Sequence, residues 1–182
     1  MSAAFASLGD ECGFGKTIDY SVSESLETVT TCTPQIWDLI DNNDGFARTL
    51  TVYIDADNQG YSDLGTETTH TIEIQCTSKK LSVLIYSDPI GIYPSTDLQG
   101  FGVAQARIDN GKIANYSYVG LKDSSGIFVV NAKTLTSAIL KGKTKVSFKI
   151  NSSIQNATVA NFAISNLAKY ASRFKSAGCP LK

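Results

Sequence analysis

Four cysteines constrain this chain more than any other feature: Cys12, Cys32, Cys76 and Cys179. They are even in number and widely spaced, and none forms a Cys-x-x-Cys pair. Cys76 closes a strand-like run, Ile72-Glu-Ile-Gln-Cys76, and Cys179 follows a C-terminal helical pattern through Ser176-Ala-Gly. That layout reads as a disulfide framework in an oxidising compartment, not as a metal or redox centre. A tetrahedral zinc site needs ligand pairs at short spacing, and none is present. Four cysteines allow three pairings. The favoured one is Cys12–Cys32 with Cys76–Cys179. The first bridge would tie a loose N-terminal arm to the first strand. The second would hold the C-terminal helix on a central strand.

A chain of 182 residues is expected to form one core. Residues 1–24 are polar and Gly-bearing and read as an arm; residues 25–182 read as a single disulfide-stapled β domain. Net charge is -1 and charged residues make up 18%. With no basic field, nucleic acid and anionic membrane are poor partners. No run approaches the ~18 apolar residues of a membrane-spanning helix. Met1-Ser-Ala-Ala-Phe-Ala-Ser lacks the basic start of a signal peptide, so the expectation is a mature chain after leader removal, periplasmic or extracellular.

Period-two alternation recurs along the chain. Leu50, Val52 and Ile54 share one face of 48–55, and Ile72, Ile74 and Cys76 share one face of 70–76. Residues 81–86 are more continuously apolar, as in a central strand. Residues 87–102 carry Pro89, Gly91, Pro94, Gly100 and Gly102 and predict a long irregular loop. Asp109-Asn110-Gly111-Lys112 between two alternating runs predicts a hairpin with a type I′ turn. Residues 144–150 and 158–164 complete the strands. A short helix is expected near 133–141, capped by Asn131 and stopped by Gly142. A second, near 166–177, carries Leu167, Tyr170, Ala171 and Phe174 on one stripe, with Gly178 as its C′ residue. The fold class is therefore mainly β: an antiparallel, β-sandwich-like domain with two helices.

Chemistry is sparsely signalled. Any Ser-His-Asp or Cys-His catalyst would need His70, which begins a strand and reads as a surface residue. No Gly-x-Ser-x-Gly elbow is present. Asp55-Ala-Asp57-Asn58-Gln59-Gly60 falls short of a calcium loop, because position 12 is Thr66, not Glu. The chain is expected to be no enzyme, with no cofactor and no metal. Tyr93, Phe101, Tyr116 and Tyr118 cluster around the long loop and the Asn-Gly hairpin, and tyrosines there suit a protein-binding surface.

The second half resembles the VasI/TagO family, type VI secretion-associated envelope proteins. Val103-Ala-Gln-Ala-Arg107-Ile108-Asp109 is similar to that family's Arg-Ile-Asp turn, and Thr71-Ile-Glu-Ile-Gln-Cys76 to its Val-Arg-Cys strand. Leu140-Lys-Gly-Lys-Thr-Lys-Val-Ser-Phe148 resembles its Lys-Gly hairpin entry. Residues 161–179 resemble its closing strand, helix and Ala-Cys. The resemblance spans about residues 48–179. Gln75 stands where a basic residue is usual, Asn166 where a glycine is, and Tyr116 and Tyr118 where a tryptophan is. What it implies is a sandwich-like envelope domain, also suggested for invasion-associated periplasmic proteins, that binds a protein partner through its loop and hairpin. The alternative is a structural surface protein of a phage or extracellular particle, with self-assembly.

Overall fold

The computed structural model describes residues 16–22, 28–43, 45, 47–56, 60–61, 67–88, 91–154 and 157–181. β1 (Lys16–Val22) and β2 (Thr28–Pro34) form a separate antiparallel pair, with Ile18 opposite Cys32. Residues 16–22 were expected to lie in the arm. Their alternation of Ile18, Tyr20 and Val22 with Thr17, Asp19 and Ser21 is strand-like, and β2 supplies the partner. Cys12 lies outside the described residues, and so does the expected Cys12–Cys32 bridge.

The main sheet contains β3 (Asp38–Asn43), β4 (Arg48–Asp55), β6 (Glu67–Thr77), β7 (Lys80–Asp88) and β8 (Phe101–Ile108). To these it adds β9 (Ala114–Gly120), β10 (Gly126–Val129), β11 (Lys145–Ile150) and β12 (Thr158–Ala163). The spatial order is β12-β11-β8-β9-β10-β7-β6-β4-β3, with β5 (Gly60–Tyr61) pairing only with β6. Every pairing among these strands is antiparallel. The mainly β, antiparallel expectation holds, but two facing sheets do not form. The meander β8–β9–β10 returns to pair with β7, so the strands stay in one hydrogen-bonded path that curls into a half-barrel.

The concave face carries the core. Leu50, Val52, Ile72, Ile74, Cys76, Val83, Ile85, Tyr118, Ile127 and Phe148 are fully or almost fully buried. Phe148 and Phe162 meet edge to face at 6.1 Å, an arrangement their ring quadrupoles favour. α1 (Ala132–Lys141) packs beside β7 and adds Leu135 and Ile139. Asn131 precedes it but makes no side-chain cap. The C-terminal helix splits into a 3-10 turn, Leu167–Tyr170, and α2 (Ala171–Ser176), which bury Leu167 and Phe174 as the stripe predicts. Cys76 and Cys179 are joined, with Cα atoms 5.9 Å apart, as expected.

The two ends of the sheet meet. The Nε1 of Trp37 donates to Ala163 O at 3.0 Å, the Tyr170 hydroxyl donates to Trp37 O, and β12 lies against β4. Arg48 and Arg173 both reach Asp41, at 2.6 and 3.9 Å, which ties α2 to β3. Trp37 is buried in this seam, and its single donor is satisfied by the last carbonyl of β12.

Candidate interaction surface

Two turns close one end of the sheet. β6 and β7 are joined through Ser78 and Lys79, both with positive φ (51° and 64°), between the paired residues Thr77 and Lys80. That is the type I′ requirement met without Asn or Gly. Between β8 and β9 the expected hairpin forms, yet the positive φ falls on Asp109 (49°) and neither Asn110 nor Gly111 adopts one. The type I′ expectation there fails for a tertiary reason. The Asp109 carboxylate accepts from the backbone N–H groups of Lys143, Thr144 and Lys145 at 2.9–3.0 Å and from the Thr144 hydroxyl at 2.6 Å. These bonds, led by the Thr144 hydroxyl, hold its carboxyl well below the usual carboxylate range.

Residues 91–100 form the rim of the sheet at the other end. β7 runs to Asp88 and β8 starts at Phe101, so the irregular segment is shorter than expected and densely bonded. Tyr93 N donates to Ser124 O, and Tyr93 O accepts from Ser153 N, both at 2.9 Å. Ser95 N donates to Asn151 O at 2.8 Å, beside a bridge between Pro94 and Ser152. The Asp97 carboxylate accepts from the backbone of Gln99 and Phe101 at 2.9 Å, a local turn built by a short acidic side chain. Leu98 sits at the tip, fully exposed.

The four aromatic candidates separate. Tyr93, with φ of 48°, and Phe101 are exposed by 37% and 46%. Tyr116 is half-buried against the core. Tyr118 is fully buried and its hydroxyl donates to Ser95 O at 2.6 Å. Its ring lies across Gly102, where a Cβ would come within 2.4 Å of it; a residue with a side chain would expel the ring. Tyr118 therefore anchors the rim from below instead of offering itself to a partner. The alternation along β9 turns Tyr116 and Tyr118 to the concave face, which composition alone did not reveal. Leu98 and Ile154, the latter also exposed, complete an apolar rim. Their signal in the sequence was isolated leucine and isoleucine inside polar loops.

His70 is buried, contrary to the surface expectation. Register places it opposite Ser87 on the concave face that carries Ile72 and Ile74, and Nδ1 and the Ser87 hydroxyl are hydrogen-bonded. Burial pushes its imidazole below the ordinary histidine value. On the outer face, Tyr86 donates to Glu73 at 3.0 Å. Burial first, then the neighbouring carboxylate, push its phenol up to about 12. A cleft of about 580 Å³ opens beside the disulfide, lined in part by Lys79, Lys80, Lys133, Gly178 and Pro180. Gly178 has φ of 87°, and a Cβ there would meet Lys79 Cγ at 2.7 Å. Among the described residues no group of three or more His, Cys, Asp or Glu could hold a metal ion. No helix among them is long and apolar enough to cross a membrane.

These features define a mainly antiparallel β half-barrel whose C-terminal helix is bridged to its sheet. No family matches the chain, and no curated protein matches it. Among solved structures it is similar to the crystal structure of invasion associated protein b from Bartonella henselae. The TM-score is 0.40 and the identity 11%, over 75% of this chain and 96% of that one. At that distance the neighbour transfers neither residue roles nor function.

Proposed function

We propose that this chain is a non-enzymatic binding domain of the cell envelope or extracellular space, which docks a protein partner through its loop rim. The observation that carries the reading is Leu98: an exposed leucine at the tip of a segment whose backbone is fixed on both sides by hydrogen bonds. Tyr93 and Phe101 flank it. A pre-ordered apolar tip loses little conformational entropy on docking, and exposed aromatic and aliphatic side chains on such a rim serve as anchors. The bridge between Cys76 and Cys179 favours an oxidising compartment. The resemblance of residues 48–179 to the VasI/TagO family makes an accessory role at a type VI secretion system the specific form of this proposal.

Site-specific photocrosslinking tests it. A benzophenone side chain at position 98, in cells that export the chain, is expected to give a discrete heteromeric adduct that Tyr93→Ala and Phe101→Ala each reduce. The same probe at Lys112, on the exposed β8–β9 turn, should give none. Equal labelling from both positions, or adducts unaffected by the two substitutions, would remove the rim from consideration.

A further inference from the structure

The outer face of the sheet is neither uniformly polar nor uniformly charged. Phe101 is directly opposite Val119, Val119 opposite Phe128, and Phe128 opposite Leu84. In the adjacent row Val103 is opposite Ser117, whose carbonyl accepts from Val130 N. Val103, Phe128 and Val130 are exposed by 52%, 40% and 51%. The apolar patch therefore runs unbroken across β8, β9, β10 and β7. A contiguous exposed apolar area on a sheet marks a contact surface.

The charges around it are polarised. Beyond Val103, on the β8 and β11 side, lie Arg107 and Lys149, with Gln105 directly opposite Lys149. Beyond Leu84, on the β6 to β3 side, lie Glu73, Tyr53 and Asp38, each directly opposite the next. One corner is basic and the opposite flank acidic. A two-fold axis lying in the plane of this face, perpendicular to the line joining the two charge groups, superposes each basic corner on the acidic flank of a second copy. The apolar rows then cover one another in the centre. A two-fold contact uses the same patch on both partners and so requires self-complementarity of this kind.

We propose that the outer face of β8–β9–β10–β7 is an isologous interface between two copies of this chain. It lies beside the Tyr93–Leu98 rim and shares Phe101 with it, and it deepens the binding reading by adding a second copy of the chain next to that rim. Sedimentation velocity of the full chain, from low to high micromolar concentration and in low and high salt, tests it. A dimer that weakens with salt is expected. Phe128→Asp should weaken it about thirtyfold or more, and so should Val103→Asp, at the more exposed position, in a chain that still melts cooperatively. Lys149→Glu should weaken it about tenfold, and adding Asp38→Lys, at the exposed end of the acidic flank, should restore it. A chain that stays monomeric throughout, or a dimer indifferent to Phe128→Asp, overturns the interface; failure of the double reversal overturns its two-fold orientation. Crosslinks from position 98 that persist in the Phe128→Asp monomer keep the rim reading alive when the interface fails. A dimer without such crosslinks does the reverse.

Discussion

Two turns at one end of the sheet contradict each other as local chemistry. Ser78-Lys79 adopts two positive φ angles with side chains that disfavour them, while Asp109-Asn110-Gly111, rich in residues that tolerate them, uses only one, on the aspartate. In each case a distant segment decides. Gly178 packs against Lys79 at the end of a helix held by Cys179, so the β6–β7 turn is buttressed by a residue far along the chain. Asp109 is turned to serve residues 143–145, which leaves Asn-Gly without its usual task. Turn propensity chooses among conformations of similar energy, and a few tertiary hydrogen bonds or a bridge outweigh it.

Cutting the support of the first turn should have the largest effect. Cys76→Ser with Cys179→Ser opens a bridge across 103 residues, which chain entropy values at about 4.7 kcal/mol. Urea titration should show a loss of that order, and hydrogen exchange should show the 78–79 turn and α2 losing protection together. Loss confined to α2 would mean the turn stands without its buttress. The second turn should respond to Asp109→Ala by about 2 kcal/mol, since several backbone donors lose one acceptor. The carboxyl is more acidic folded than unfolded. Its contribution is therefore present above the unfolded value near ~4 and fades as pH falls below it. Stability curves of the native chain and Asp109→Asn should converge in acid, and a pH-independent gap would refute the carboxylate's role. The smallest effects compare the turns directly. Ser78→Asn should stabilise by about 0.5 kcal/mol, because asparagine accepts positive φ and Lys79 keeps its contact with Gly178. Asn110→Ala should stay within about 0.5 kcal/mol. A reversed order in thermal melts would mean that local propensity governs after all.

The strands were legible because one face of each is buried. Leu50/Val52/Ile54 and Ile72/Ile74/Cys76 announce both the strand and its inward side, and the bridge from Cys76 to Cys179 followed from seeing strand and helix as neighbours. The half-barrel was not legible. Alternation gives the inward side of each strand, but not whether the inward sides belong to one curled sheet or two. Register was equally silent, and register is what buried His70 beside Ser87 and Tyr118 beneath the rim. The candidate surface was half visible: Tyr93 and Phe101 are exposed where the loop pattern put them. Leu98 and Phe128 emerge only once the outer face is assembled, because a single apolar residue in a polar stretch has no period to reveal it.

Trp37 is the sole tryptophan of the chain, and it sits at the seam where the beginning and end of the half-barrel meet. Its fluorescence is thus a built-in optical gauge of this seam. An indole bonded to Ala163, 126 residues onward, takes up its buried setting only when both ends of the sheet have come together.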